Sequence, residues 1–241
     1  MEMAKALVVL SGGQDSTTCL FWARTKFDEV HAITFDYGQR HRAEVEAAKR
    51  IARMAKVASH EVVKVPDILL GTSPLVNSAQ SVEEYADAQS LPGGIEKTFV
   101  PMRNTLFLTI AANRAVVLGC SDIITGVGQE DFGGYPDCRE AFLFMLQKTF
   151  QESLRGVAEV NLVAPLLYLI KKETVELACE LGVECLDALA YTHTCYKGEY
   201  PPCGHCHACL LRQKGFDEAG IADPLIVRSG PVPIVGGHCV R

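Results

Sequence analysis

Residues 7–16 read Leu7-Val8-Val9-Leu10-Ser11-Gly12-Gly13-Gln14-Asp15-Ser16, an apolar strand that runs into a Gly-rich turn. Behind it, Thr17-Thr18-Cys19-Leu20-Phe21-Trp22-Ala23 continues as a helix. A strand, two glycines and a helix N-terminus together present unpaired N–H groups and a positive dipole end. That is an anion site, and phosphate is its usual guest. No Gly-Lys-Ser/Thr closes the turn, so the Walker pattern is absent. The plainer reading is a turn before a helix capped by Asp15 or Ser16.

Outward from this turn, strand and helix alternate. Residues 6–10, 29–35, 61–65, 122–125 and 161–164 read as strands. Residues 15–25, 42–56, 104–118, 139–154 and 171–181 read as helices, the last ending at Gly182. Such alternation predicts an α/β fold with a parallel sheet and right-handed crossovers. Ligands of such sheets bind beyond the carboxyl ends of the strands, where Ser11 and Asp36 fall. Residues 71–99 are rich in Ser, Gln, Gly and Pro without a period, and predict an irregular excursion or lid. The main domain is expected over 1–189. A C-terminal segment over 190–241 follows, with a short helix near 208–216 and a Pro/Gly-rich tail.

The chain has 241 residues, 48% hydrophobic and 22% charged, which is ordinary for a globular protein. No apolar run reaches membrane-spanning length, and the N-terminal apolar stretch is too short for a signal peptide, so a cytoplasmic location is expected. A net charge of −6 argues against a broad nucleic-acid surface but leaves room for a local basic pocket.

Four of the ten cysteines crowd together as Cys195-x7-Cys203-x2-Cys206-x2-Cys209. Such spacing suits a closed tetrahedral zinc site, with Gly204 allowing a tight fold between two ligands. A closed site has no open position for catalysis, so a structural role is expected. His205 and His207 alternate with the ligands and could compete with them. An iron–sulfur cluster, redox thiols or a coincidence of unligated cysteines are the alternatives.

Three further segments concentrate polar groups. Asp36-Tyr37-Gly38-Gln39-Arg40-His41-Arg42 follows the second strand, and its cations oppose the dipole of the next helix unless an anion joins them. Thr98-Phe99-Val100-Pro101-Met102-Arg103-Asn104 enters a helix with Asn104 as a plausible N-cap and Arg103 placed for a phosphate or carboxylate. The stretch 125–139, with Glu130, Asp131, Phe132, Tyr135, Asp137 and Arg139, follows the fourth strand. Its carboxylates suit magnesium or the N–H groups of a guanine-like base, and its aromatics suit stacking. Lys171, at a helix start, can reach a phosphate, although a lone lysine is usually just solvated.

Assembled, these segments resemble the 7-cyano-7-deazaguanine synthase family of PP-loop ATP pyrophosphatases. The resemblance rests on Ser11 to Leu20, Thr34 to His41, Thr98 to Pro101 with Arg103 and Asn104, Asp131 to Arg139, and the cysteine cluster. Met102 stands where the family commonly has Gly, Glu130 where Thr is usual, Gly133 where Ser is usual, and the first cysteine gap is one residue short. Glu130 places an extra carboxylate beside the presumed substrate loop.

The resemblance implies a Rossmann-like PP-loop domain and ATP-dependent conversion of 7-carboxy-7-deazaguanine and ammonia to the nitrile, through an adenylated carboxylate and an amide. ATP would be held by Leu10, Ser11, Gly12, Gly13, Gln14, Asp15, Ser16, Thr17 and Thr18, with Mg2+ near Asp15. Asp15, Ser16, Arg103, Asp131 and Lys171 would carry catalysis. Tyr37, Arg40, His41, Arg103, Asn104, Glu130, Asp131, Phe132, Tyr135, Asp137 and Arg139 would face the substrate. Zn2+ would sit on Cys195, Cys203, Cys206 and Cys209. A homodimer acting on small molecules, without nucleic acid or membrane, completes the expectation. The competing readings are a PP-loop ligase acting on another acid or on tRNA, and a zinc-knuckle binding protein with a vestigial nucleotide site.

Overall fold

The computed structural model describes residues 3–39, 42–65, 68–71, 73–77, 79–92, 94–128 and 135–230. Its strands are β1 (Lys5–Val9), β2 (Glu29–Asp36), β3 (Ser59–Lys64), β4 (Asp122–Ile124) and β5 (Asn161–Val163). They pair in parallel throughout, in the order β3-β2-β1-β4-β5. The α/β parallel architecture expected from the alternation is the one observed. β1 is central, with Val8 opposite Ala32 on one side and Ile124 on the other. The chain builds outward from β1 to β3, then returns to lay β4 and β5 on the opposite side. The carboxyl ends of β1 and β4 therefore flank a topological switch point, where open α/β sheets bind ligands.

Both faces of the sheet are covered, which is why β1 reads as a continuous apolar run. Its two-residue period sends Ala6, Val8 and Leu10 into one core and Leu7 into the other. The first core is closed by α1 (Gln14–Arg24), α2 (Ala43–Met54), α5 (Lys171–Glu180) and α6 (Val183–Leu189). Phe216, from α7 (His207–Ala219), is buried in that same core. The second is closed by α3 (Arg103–Leu118) and α4 (Glu140–Ser153), with Phe35 stacked on Phe107 at 4.2 Å between ring centroids. No helix among the described residues is long and apolar enough to cross a membrane.

Several local expectations change. The sequence reading did not anticipate α6 or α8 (Pro224–Ser229). Gly182 does end one helix, at φ +95°, but the chain restarts at once and buries Cys185, Ala188 and Leu189. α8 opens with Asp223, whose carboxylate accepts from the Leu225 N–H at 2.9 Å, and with Pro224 in the first helical position. That start signal was hidden in a stretch read as tail. Neither Asp15 nor Ser16 caps α1, which begins after an extended Gly13. Asn104 is not an N-cap either: α3 begins at Arg103, after Met102 in the left-handed region at φ 65°.

The left-handed turn at Met102 gives the family's common glycine a physical reason. An L side chain pays roughly 1–2 kcal/mol there, more than the entropic penalty of glycine. Met102 is 63% exposed, so little packing holds it. Met102→Gly is expected to raise unfolding stability by about 0.5–1 kcal/mol, read as a higher urea midpoint with unchanged slope.

Between β3 and α3 the described residues carry no strand and no α-helix, only a 3-10 turn at Ala88–Ser90. The described part of this excursion is tied to the cysteine segment. The Tyr85 N–H donates to the His205 carbonyl at 2.9 Å, and Lys197 pairs with Glu84 at 2.6 Å.

Candidate active site

The switch point opens into a cleft of about 280 Å³. One wall is the turn at Leu10, Ser11, Gly13, Gln14, Asp15 and Ser16, and the opposite wall carries Tyr37, Glu44, Arg103, Asn104, Phe107 and Tyr135. Lys171, His193, Tyr196, His207 and Arg212 reach it from the C-terminal side.

The turn is held by close backbone approach. Gly12 sits at φ +90°, and a Cβ there would lie 2.3 Å from the Glu44 carbonyl oxygen. Glycine is therefore required both for its conformation and for the docking of α2. A Cβ on Gly126, just after β4, would lie 2.8 Å from the Ser16 nitrogen. Within the turn, Ser11 Oγ accepts from the Gly13 N–H at 3.2 Å and lies 2.9 Å from Ser16 Oγ. The His193 N–H donates to the Gly12 carbonyl at 2.9 Å, fastening the chain before the cysteine cluster onto the turn.

An ion pair on the turn joins two residues 156 apart in sequence. Lys171 Nζ donates to Asp15 Oδ2 at 2.7 Å, and the lysine is buried. A lone lysine at a helix start is usually solvated, but tertiary packing buries Lys171. α7 makes this possible, because Gly215 passes so close that a Cβ there would lie 2.9 Å from Lys171 Cβ and 3.0 Å from its carbonyl oxygen.

Two buried atoms of the turn, Asp15 Oδ1 and Gln14 Nε2, have no hydrogen-bond partner among the described residues. Buried polar atoms are rarely left so. An acceptor and a donor at the edge of a Gly-rich turn fit a phosphate group and its divalent cation. Mg2+ with ATP is thus compatible with the residues present.

On the facing wall, the Arg103 guanidinium lies against the Tyr37 hydroxyl. Burial works against its charge, but the oxygens of Tyr37, Tyr135 and Tyr196 around it raise its pKa further above the ordinary arginine value. Those tyrosines are fixed in turn. Thr98 Oγ1 lies 2.6 Å from the Tyr135 hydroxyl, which lies 3.2 Å from the Tyr196 hydroxyl. The excursion, the loop after β4 and the cysteine segment meet in this chain of hydroxyls. Phe99, edge-on to Tyr135 at 6.3 Å, packs into the second core rather than the cleft.

Not every expected residue lines the cleft. The Thr17 and Thr18 hydroxyls bond back to the Gly13 and Gln14 carbonyls at 2.7 and 3.1 Å, and both side chains are buried within α1. Gly12 contributes through backbone packing. Asp137 is buried against α3, where it accepts from the Asn104 N–H at 3.3 Å, and the Asn104 amide donates to the Asp137 carbonyl at 3.1 Å. Burial raises the Asp137 pKa, against the pull of Arg103 and the Asn104 N–H. Arg139 is exposed at the start of α4. Arg42 turns its guanidinium to Asp36 at 3.6 Å, so the anion expected beside it is supplied by the chain itself. Arg40, His41, Glu130, Asp131 and Phe132 lie outside the described residues. Glu44 and Arg212 were missed by sequence reasoning, because each looks like an ordinary charged residue of a helix.

The four sulfurs of Cys195, Cys203, Cys206 and Cys209 all lie within 4.8 Å of one another. Tetrahedral zinc with Zn–S bonds of about 2.3 Å sets its sulfurs roughly 3.8 Å apart, and Cys203 and Cys209 stand at 3.9 Å. The donor set therefore fits a metal ion of that kind. Gly204 takes the expected tight turn at φ +77°. Neither histidine joins the cluster: His207 faces Glu96 at 3.7 Å. Cys206 is the N-cap of α7, so the cluster anchors the helix that carries Gly215 and Arg212. Arg212 in turn pairs with Asp223 at 2.6 Å and donates to the Thr192 and Thr194 hydroxyls.

The family model described as "Queuosine biosynthesis protein QueC" matches residues 5–220. A curated relative from Gloeobacter violaceus named 7-cyano-7-deazaguanine synthase is 50% identical over 225 residues, 92% of this chain and 96% of the relative. Relatives of the same name from Chromobacterium violaceum and Laribacter hongkongensis are 49% and 50% identical, covering 93% and 92% of this chain and 94% of each relative. A family match across the sheet, the Gly-rich turn and the cysteine cluster, with relatives at half identity over nearly their full length, settles the affiliation: the chain belongs to the QueC family of queuosine biosynthesis proteins.

Proposed function

We propose that the protein is an ATP-dependent C–N ligase that converts 7-carboxy-7-deazaguanine and ammonia to 7-cyano-7-deazaguanine. The observation that carries this reading is the convergence, in one cleft, of the Ser11–Ser16 turn with the Asp15–Lys171 pair on one wall and Arg103 on the other. The chemistry needs a good leaving group, since carboxylate and amide oxygens leave poorly. ATP supplies it as AMP, once for the carboxylate and again for the amide.

In this reading the N–H groups of the turn and the Ser11 and Ser16 hydroxyls bind the departing pyrophosphate. Asp15 would hold the magnesium that accompanies ATP, and Lys171 both orients Asp15 and neutralises phosphate charge. Arg103 receives the substrate carboxylate, with Tyr37 and Tyr135 shaping its pocket. Zinc on the four cysteines is structural. The protein works in the cytoplasm as a homodimer on small molecules, without nucleic acid.

The test is direct: incubate the protein with 7-carboxy-7-deazaguanine, ATP, magnesium and ammonium, and follow products by mass spectrometry. The nitrile is expected, with AMP and pyrophosphate. Pyrophosphate release driven by a different acid or by tRNA, with no amide or nitrile, would overturn the substrate assignment and favour another adenylating ligase of the same fold.

A further inference from the structure

Two carboxyl groups line the cleft among the described residues, Asp15 and Glu44. Asp15 is committed to Lys171. The Glu44 side chain makes no hydrogen bond or ion pair with any described residue and lines the cleft on the wall of Arg103 and Tyr37, while its backbone carbonyl packs against Gly12 of the turn. The charged and titratable groups that face it, among the described residues, are Arg103 from α3 and Tyr37 after β2. Its place in the first turn of α2 favours a carboxylate, as does Arg103. Removal from bulk water outweighs both, and its pKa is pushed up to about 7. A carboxyl titrating near neutrality in a cleft is suited to moving a proton.

The proposed reaction has an unmet need at this place. Ammonia is mostly ammonium at pH 7, and ammonium has no lone pair with which to attack. Of the other described side-chain charges of the cleft, Lys171 and Arg212 are neutralised by Asp15 and Asp223 and Arg103 is cationic, so none of them draws ammonium. We propose that Glu44 is a catalytic residue of the amidation step, which holds ammonium in the cleft and takes its proton. This rests on the functional reading above. The ammonium proton passes to the Glu44 carboxylate, and the freed nitrogen lone pair forms the C–N bond at the adenylated carboxyl carbon. The C–O bond to AMP then breaks, with its electron pair leaving on the phosphate oxygen. The nitrogen loses a second proton to water, and Glu44 later releases the first.

The test compares nucleophiles and half-reactions. Hydroxylamine is largely unprotonated at pH 7 and attacks without a base. In Glu44→Gln, amide formation from ammonium is expected to fall at least 50-fold. Hydroxamate formation and exchange of labelled pyrophosphate into ATP, driven by 7-carboxy-7-deazaguanine, should stay within threefold of wild type. Equal losses with both nucleophiles, or an unchanged ammonium rate, overturn the proposal. The wild-type enzyme provides a test that does not depend on the variant folding. At fixed total ammonium, its ammonium rate, divided by its rate per free hydroxylamine, should rise with pH to about 7 and level off above it as Glu44 becomes a carboxylate. A ratio that keeps rising about tenfold per pH unit above pH 7, as free ammonia itself does, overturns the proposal. Absence of exchange in the wild type overturns the functional reading itself.

Discussion

Asp15→Asn should lower AMP-forming turnover by about 10²–10³-fold, the usual loss when one preorganised electrostatic group of a site is removed. Asparagine keeps an oxygen for Lys171 Nζ, which now approaches Asp15 Oδ2 at 2.7 Å, but it withdraws the negative charge. The unpaired Oδ1 then loses its power to draw a divalent cation. The folding penalty should be modest, about 1–2 kcal/mol, because the asparagine still bonds Lys171 and the Asp15 side chain retains 25% exposure. Steady-state AMP release, metal analysis and thermal melting together decide this. A variant that loses metal from the four-cysteine cluster or its cooperative melt in step with its activity would show that Asp15 acts on folding rather than on chemistry.

Cys206→Ser should act in the opposite order, stability first and activity as a consequence. Cys206 is fully buried, shares the four-sulfur cluster and forms the N-cap of α7. Metal binding at such a site is folding free energy, so a lost thiolate lowers metal content and stability together. A loss of about 4 kcal/mol corresponds to roughly 8–16 °C in melting temperature for a chain of this size. Turnover should fall in proportion to zinc content, because α7 sets Lys171 through the close approach of Gly215. Full activity in a zinc-free variant would sever that link between the cluster and the cleft.

That link shows where reading the chain as a string reaches its limit. The parallel sheet was legible because buried strands leave apolar runs and surface helices leave periodic ones, as in β1 and α2. The cysteine cluster was legible because two short spacings bring ligands together locally, and Gly204 takes the conformation that such spacing needs. The short helices α6 and α8 escaped because a single turn or two leaves almost no periodicity, and each lies directly behind a residue that reads as a break. Asn104 lies two residues beyond the true N-cap, Met102, and its amide bonds Asp137, more than thirty residues downstream, instead of its own helix end.

What the sequence by itself determined is the set of local devices: a strand–glycine–helix turn for an anion, alternation that forces a parallel sheet, and four thiols within fifteen positions. Each depends on neighbours in the chain. The tertiary structure alone decided which charges meet. It buried Lys171 against Asp15, turned Arg42 onto Asp36, removed Asp137 from the cleft, and brought Glu44 into it. The reason is physical: the environment of a charge is set by whatever packs around it, and a close-packed fold draws those partners from anywhere in the chain.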